Sequence, residues 1–247
     1  MVKTLVFTHS LSLALRLVDT TTGRNISGRG FTAQADGTVI RFSEKADGVL
    51  IFQNLSSRSF RLELTSPAYE KAELEVDLDG LDKALPLMEL HLIPSDGYPG
   101  AVEFLTLEGT LLGIGELSAV PMGDNACLIR EFDPRKRLAT LFNPHHLELD
   151  RVFYALVDPD RNVCEPFRIL RRVNDQTVKV DRVLEMPFRN YFPISAVVFG
   201  RCDPDGGYRL RVRDEGAAAR WLVRWTVGGE ARFRVVDFRE TPYPKLE

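Results

Sequence analysis

The stretch that decides the fold is KADGVLIFQNLSSRSFRLEL, residues 45–64. Asp47-Gly48 signals a tight turn, because Gly takes a positive φ at no steric cost. An apolar run follows this turn, Asn54 ends the run, and apolar and polar residues then alternate. This period of two places successive side chains on opposite faces, so it predicts two β-strands, at 48–53 and 59–65.

The same stretch indicates which side chains form a core. We expect inward packing from Val49, Ile51, Phe52, Leu62 and Leu64. Burial of a side chain of this size stabilises the fold by roughly 1.5–3 kcal/mol. Tyr69 follows Pro67 at the next corner, where its ring can cap the core and its hydroxyl can reach a backbone group.

Alternating patterns of this kind run through the whole chain, separated by turn signals rich in Gly, Pro and Asp. The predicted strands lie at 3–7, 11–18, 30–35, 38–43, 48–53, 59–65, 70–78, 85–93, 101–107, 110–120, 126–132, 137–142, 150–157, 166–173, 176–184, 193–200, 207–213, 219–227 and 230–238. The clearest hairpin joins the last two of them across Gly228-Gly229. The chain is therefore predicted to be all-β.

A turn-rich segment, IPSDGYPG at 93–100, marks a boundary between two domains. We expect a β-sandwich over residues 1–94 and a linker over 95–100. A second all-β domain, sandwich-like or jelly-roll-like, is expected over 101–247. A chain of 247 residues is long enough for two such cores.

Four pieces of the first domain carry a resemblance to a known family. They are RLVDTTTGRNISGRGF, KADGVLIFQNL, SFRLELTSPAYEKAELEVDL and LPLMELHLIP. In this order, residues 11–94 resemble the carboxypeptidase regulatory-like domain, a transthyretin-like, Ig-like β-sandwich. The sequence departs from the family pattern at Arg58 and Ala68, where Gly is usual. The resemblance implies an accessory module that acts as a spacer, stabiliser or binding surface and has no chemistry of its own.

Charge and hydropathy exclude several classes of partner. The net charge of −3 offers no general attraction for nucleic acid or for an anionic membrane. Leu11, Leu13, Leu15 and Leu17 alternate with other residues, which favours a strand over the apolar core of a signal peptide. No apolar run is long enough to predict a membrane span. We therefore expect a cytoplasmic protein, or a component of a particle released from the cell.

Three cysteines, Cys127, Cys164 and Cys202, are widely spaced and form no CxxC pair, so we expect buried free thiols. One disulfide with one free thiol is the alternative. No flanking pattern marks an activated thiol, and the sequence contains no nucleophile elbow or phosphate-binding loop. We predict no catalytic residue and no cofactor.

One segment, NPHHLELD at 143–150, holds residue types that bind metals. On a helix, His146 and Asp150 would be four residues apart and could share an ion. On a strand, His145 and His146 would point to opposite faces. Although the segment also holds Glu148, a third ligand is not evident. We therefore predict a polar loop and no metal site.

Arg dominates the cations of the second domain, with 19 Arg and three Lys over residues 101–247. A candidate partner surface consists of alternating Arg and two Trp: Arg209, Arg211, Arg213, Arg220, Trp221, Arg224, Trp225, Arg232 and Arg234. Exposed aromatic residues beside Arg are typical of protein or sugar surfaces. The alternative is that both Trp lie in the core, with the Arg side chains outside.

These observations favour a structural or adaptor protein without enzymatic activity. Its β-modules would dock into a larger assembly, for which a phage-tail-like particle is a fold-level analogy. A protein partner or a homo-oligomer is expected. One alternative is a carbohydrate-binding module that stacks sugars on Trp221, Trp225, Tyr191 or Tyr208. A second alternative is an enzyme whose site is built from residues 101–247, with His145, Asp150 or a Cys in a pocket.

Overall fold

The computed structural model describes residues 10–46, 48–99, 103–123, 127–144, 149, 153–186, 191–214, 220–240 and 245–247. Every element in these residues is a strand, which confirms the all-β prediction. The chain divides into two compact units, Met1–Asp19 with Asn25–Pro99, and Thr20–Arg24 with Gly100–Glu247. Residues 95–99 belong to the first unit, whereas the sequence predicted a linker there. The strand predicted at 3–7 lies outside the described residues.

The first unit is a sandwich of two sheets around one core. Its strands are β1 (Leu11–Asp19), β2 (Thr32–Ala35), β3 (Thr38–Ile40), β4 (Ser43–Glu44), β5 (Leu50–Gln53), β6 (Ser59–Ser66), β7 (Tyr69–Asp77) and β8 (Leu87–Leu92). One sheet has the order β4-β5-β1-β8 and the other β3-β2-β6-β7. Side chains from both sheets form a single hydrophobic core, which includes Leu15, Phe52, Leu62 and Leu64.

The opening stretch folds as a turn followed by strands, with one change of face. Gly48 has a φ of +81°, as a tight turn requires. Leu50 and Phe52 point into the core and are fully buried, while Ile51 between them is only half-buried. The predicted inward packing of Ile51 is therefore wrong, because strand alternation assigns the inner face to Leu50 and Phe52. Val49, Leu62 and Leu64 are buried as predicted.

Tyr69 ties the end of the first unit to its start. Its hydroxyl donates to the buried carboxylate of Asp19 at 3.1 Å, and the hydroxyl of Tyr98 donates to the same oxygen at 2.5 Å. The two tyrosine rings meet edge to face, 5.5 Å apart. Burial, reinforced by the charge of Asp19, raises the pKa of Tyr69 well above its ordinary value. The predicted backbone acceptor is thus a carboxylate, and this contact holds Tyr98 on the sandwich.

The second unit contains the other strands of the described chain. They are β9 (Phe104–Thr110), β10 (Ile114–Pro121), β11 (Leu128–Asp133), β12 (Leu138–Phe142), β13 (Phe153–Asp158), β14 (Val163–Asn174), β15 (Thr177–Val180), β16 (Phe192–Ala196), β17 (Val198–Phe199), β18 (Arg201–Cys202), β19 (Gly207–Arg213), β20 (Arg220–Val227) and β21 (Glu230–Asp237). Each strand predicted in the described residues has a counterpart here or in the first unit. The short strand β18 was not predicted, because two residues carry no periodicity.

Six of these strands close into a barrel with the order β11-β12-β15-β14-β13-β16. Its interior is filled by apolar side chains that include Ile129, Phe167, Val178 and Val180. The twelve-residue β14 closes the barrel, because its first half pairs with β13 and its second half with β15. The sequence predicted a second domain that is sandwich-like or jelly-roll-like. The closed barrel differs from that prediction, because β14 pairs with both β13 and β15.

Two open sheets of the second unit pack on each other. One has the order β17-β10-β20-β21 and the other β18-β19-β9, and a hydrophobic core lies between them. The opposite face of the four-stranded sheet contributes Val120 and Leu222 to a second cluster, with Val157 and Cys164 of the barrel strands. The central strand β20 is therefore buried on both faces. No described residue belongs to a helix of the length and apolarity that crossing a bilayer would need.

Candidate functional site

The two Trp of the predicted partner surface lie inside the second unit. Trp221 is 7% exposed and Trp225 is 4% exposed, and both pack in the core between the two open sheets. Of the two interpretations that the sequence left open for these Trp, burial in the core is the one that the structure confirms, because the three-stranded sheet covers this face of β20. Tyr208 is buried in the same core, where its hydroxyl accepts the N–H of Leu246 at 2.8 Å. None of these three rings can stack on a sugar in solution.

Tyr191 is the exposed member of the four predicted sugar-stacking aromatics. Half of its surface is open to solvent, and its ring meets the exposed Phe142 edge to face at 5.8 Å, with the planes at 90°. A sugar platform needs faces that lie in one plane, and this perpendicular pair does not provide one. This pair of rings therefore lacks the coplanar arrangement that the carbohydrate-binding alternative requires.

The Arg row of β19 faces outward but is engaged with the neighbouring strand β9. Arg209, Arg211 and Arg213 alternate with buried residues along β19. The Nε of Arg209 lies 3.0 Å from a carboxylate oxygen of Glu108, and the guanidinium of Arg211 lies 5.9 Å from the centre of the Phe104 ring. These contacts indicate that the row stabilises the pairing of β19 with β9, and it is not a bare cationic surface.

The remaining Arg of the predicted surface lie on β20 and β21. The side chain of Arg224 is only 17% exposed, and its Nη1 lies 2.8 Å from the carboxylate of Glu116. Arg220, Arg232 and Arg234 are exposed, and Arg234 donates a hydrogen bond to the carbonyl of Lys245 at 2.8 Å. Of the predicted surface, the part that stays open to a partner is therefore centred on β21.

Strand β21 is the edge of the four-stranded sheet. All eight of its residues pair with β20 in continuous register, and no further strand of the described chain pairs with its other side. The joining glycines have φ values of +60° and +86°, so the predicted hairpin across Gly228-Gly229 is confirmed. An edge strand presents a row of backbone N–H and C=O groups to which another extended chain can bind.

A cleft of about 750 Å³ lies beside this edge, between the four-stranded sheet and the barrel strands. It is lined by Cys164, Glu165, Pro166, Asp181, Arg182, Val183, Glu185, Met186, Arg224, Ala231 and Phe233. Ala231 and Phe233 belong to the edge strand itself and lie on its barrel-facing side. We call the edge of β21 and this cleft together the edge cleft.

The charged residues of the edge cleft hold its walls in place. The carboxylate of Glu165 accepts the backbone N–H groups of Glu185 and Met186 at 2.8–2.9 Å. Asp181 accepts the backbone N–H of Arg168 at 2.9 Å with one oxygen, while its other oxygen faces the guanidinium of Arg182 at 3.4 Å. These bonds hold the walls of the cleft in a preformed shape.

The thiol of Cys164 at the floor of the cleft is not an activated nucleophile. Burial raises its pKa to about 12, although the positive charge of Arg224 acts in the opposite direction. Burial likewise raises the pKa of Cys127 and of Cys202 to about 11. All three cysteines are free, and Cys202 is half-buried, whereas the sequence predicted buried thiols throughout. At neutral pH these thiols stay protonated, the less reactive form.

The predicted loop with His145, His146, Glu148 and Asp150 lies outside the described residues. Within the described ranges, no three His, Cys, Asp or Glu side chains come together as metal ligands would. Sequence reasoning missed the edge cleft, because its walls join residues far apart in the chain. The one local signal is EARFRVVDF, where Ala231, Phe233 and Val235 alternate with Arg on an edge strand.

The chain matches no protein-family model, and no curated protein matches it.

Proposed function

We propose that this chain is a structural or adaptor protein, without enzymatic activity, that binds an extended segment of a partner protein along β21. The observation that carries the proposal is the edge cleft, where a regular eight-residue edge strand borders a preformed cleft. In binding of this kind, backbone hydrogen bonds to the edge provide affinity and pockets for alternate side chains provide specificity.

The faces of β21 predict the sequence pattern of the bound segment. Ala231 and Phe233 face the cleft, while Arg232 and Arg234 lie on the other face of the strand. Side chains directly opposite each other on neighbouring strands share a face. A segment that pairs with β21 would therefore place apolar side chains in the cleft and alternate them with acidic side chains beside the two Arg.

The first unit supports this role as an accessory module. We infer that it is a divergent carboxypeptidase regulatory-like domain, and the two four-stranded sheets around one core agree with that fold. Arg58 and Ala68 are the departures from the family pattern. A larger assembly, such as a phage-tail-like particle built inside the cell, is the setting that such a pair of β-modules would suit.

The proposal is tested by selecting peptides from a random library on the immobilised full-length chain. We expect the wild type to enrich peptides in which apolar and acidic residues alternate. Ala231→Lys, at an exposed position of the edge cleft, should weaken the selected peptides about tenfold, the equivalent of about 1.4 kcal/mol. Val39→Lys is the matched control, because Val39 is 63% exposed on β3 of the first unit.

Selection of no peptide, or equal binding to the wild type and the Ala231→Lys variant, would overturn the proposal. Light scattering of the purified chain at several concentrations identifies a second copy as the partner. A mass that rises with concentration in the wild type, but not in Ala231→Lys, would place that second copy in the edge cleft. A constant mass with peptide binding intact would assign the edge cleft to a different protein.

A further inference from the structure

The register between β14 and β15, which form a hairpin in the barrel, is interrupted at two positions. Ile169 pairs with Val180 and Arg171 with Lys179, so one residue is extra between these pairs. A second extra residue lies between the pair of Arg172 with Val178 and the pair of Asn174 with Thr177. The strand β14 thus carries two β-bulges within six residues, and bulges re-aim the side chains beside them.

Both extra residues are aliphatic and open to solvent. Leu170 and Val173 have no cross-strand partner in the register, and they are 51% and 49% exposed. All residues from 170 to 174 are exposed, whereas the first half of the strand contributes Cys164 and Phe167 to the interior. The two bulges therefore present an aliphatic side chain on each side of Arg171 and Arg172.

The cations at this end of the hairpin have no ion-pair partner among the residues that the structure describes. Arg171 lies directly opposite Lys179, and like charges at opposed positions destabilise a pair of strands. Within the described residues, neither these two side chains nor Arg172 makes an ion pair or a side-chain hydrogen bond. The other cross-strand neighbour of Lys179 is Leu138, which is neutral. Among the residues that the structure describes, no carboxylate thus relieves this repulsion.

We propose that the tip of this hairpin, residues 169–179, is a second docking site that binds an acidic, partly apolar segment of a protein. Carboxylates would neutralise Arg171, Arg172 and Lys179, and apolar side chains would cover Leu170 and Val173. The site shares no residue with the edge cleft and does not depend on the function proposed there.

Two features favour a protein segment over a nucleic acid. The exposed side chains at the tip are aliphatic, whereas single-stranded nucleic acids bind aromatic residues on which bases stack. The turn of the hairpin adds the negative charge of Asp175, and the whole chain has a net charge of −3. Apolar contact beside a few cations is the chemistry of an acidic amphipathic peptide.

The test measures fluorescence anisotropy of a labelled peptide of alternating Glu and Leu, titrated with the full-length chain at physiological salt. A Glu-Ser peptide removes the apolar side chains, a Lys-Leu peptide reverses the charge, and a single-stranded DNA oligonucleotide represents the other class of partner. We expect the Glu-Leu peptide to bind at least about tenfold more tightly than each of the other three probes.

The variant Arg171→Glu/Lys179→Glu should weaken the Glu-Leu peptide at least about tenfold. It keeps a like-charge pair at the same position, so the repulsion within the hairpin is unchanged and circular dichroism should match the wild type. The matched control is Arg41→Glu/Lys45→Glu, the same charge change at exposed residues of the first unit.

A second variant, Leu170→Ser/Val173→Ser, tests the apolar part without any change in charge, and it should also weaken the Glu-Leu peptide. Equal weakening by the first-unit control would show a general charge effect and overturn the site. Tighter binding of the DNA than of the Glu-Leu peptide, or no loss in either hairpin variant, would overturn it as well.

Discussion

Two hairpins of the second unit use similar residues and reach opposite results. In β20 and β21, eight pairs run in continuous register, and the apolar residues of β20 are buried except for the partly buried Val227 at its end. In β14 and β15, two bulges interrupt the register, and the aliphatic residues at the bulges are exposed. Arg residues neighbour apolar ones in both hairpins, so composition does not distinguish them. The continuity of the register does.

The comparison shows when strand alternation can be read as burial. Where the register is continuous, a residue and its second neighbour share a face, and one covering layer buries them together. Where a bulge adds a residue, the assignment of faces shifts for everything that follows. In the first hairpin, the two Trp lie in the core while Arg220, Arg232 and Arg234 are exposed. In the second, the whole Leu-Arg-Arg-Val run is exposed.

The largest effect should come from removing a side chain of the regular hairpin. Trp225→Ala leaves a cavity in the core between the open sheets, and we expect it to lower the free energy of unfolding by about 3–5 kcal/mol. Leu170→Ala at the bulged hairpin should change it by less than about 0.5 kcal/mol. Urea denaturation followed by circular dichroism measures the free energy of unfolding of both variants. A similar loss in the two would contradict the contrast between the buried and the exposed hairpin.

The second effect is a pH dependence of stability that arises from Cys164, which is buried at the start of β14, whereas the end of this strand is exposed. Burial raises the pKa of Cys164 to about 12, so its thiol stays protonated in the folded chain after it ionises in the unfolded chain. The folded state then holds more protons, and stability is lost as pH rises from about 9 towards 12. Over this pH range, the free energy of unfolding should fall by a few kcal/mol less in Cys164→Ala than in the wild type. The expected difference follows from the pKa shift of the thiol, since one pKa unit is worth about 1.4 kcal/mol.

Urea denaturation at pH values on both sides of this window provides the measurement. Below about pH 8 the difference between wild type and variant should be constant, since the thiol is protonated in both states. Parallel curves up to the alkaline end would contradict the burial of Cys164.

The turn of the regular hairpin should show a smaller effect. Gly229 has a φ of +86°, and an L-residue with a Cβ pays roughly 1–2 kcal/mol in this region. Gly229→Ala should therefore lower the free energy of unfolding by about that amount. Gly123→Ala is the matched control, because its added Cβ also meets no neighbour and its φ is not positive. Equal stability of the two variants would show that the turn does not hold the register.

The smallest effect should have the opposite sign. Arg171→Glu replaces a like-charge pair with an opposite-charge pair across from Lys179, and we expect a gain of about 0.2–1 kcal/mol. Arg172→Glu is the matched control, since Arg172 lies opposite Val178 and relieves no repulsion. Thermal melting curves at low salt compare the two. A gain in stability together with a loss of acidic-peptide binding would show that the repulsion serves the docking site.

How far the sequence could be interpreted depended on the range of the interactions involved. Local signals were enough for the strands and for the turns at Gly48 and Gly228-Gly229, because both depend on residues close in the chain. They were not enough for the edge cleft, where Glu165 and Phe233 line one cleft although they are far apart in sequence. They also did not reveal the carboxylate acceptor of Tyr69, Asp19, which lies fifty residues earlier.

By itself, the amino-acid sequence determined an all-β chain and the approximate positions of its strands. The tertiary structure alone decided that six strands close into a barrel, that Trp221 and Trp225 lie in a core, and that β21 forms an edge. The physical reason is that backbone propensity and period-two patterning act within a few residues. Which strand pairs with which, and which face is covered, depends on contacts between segments that only the folded chain brings together.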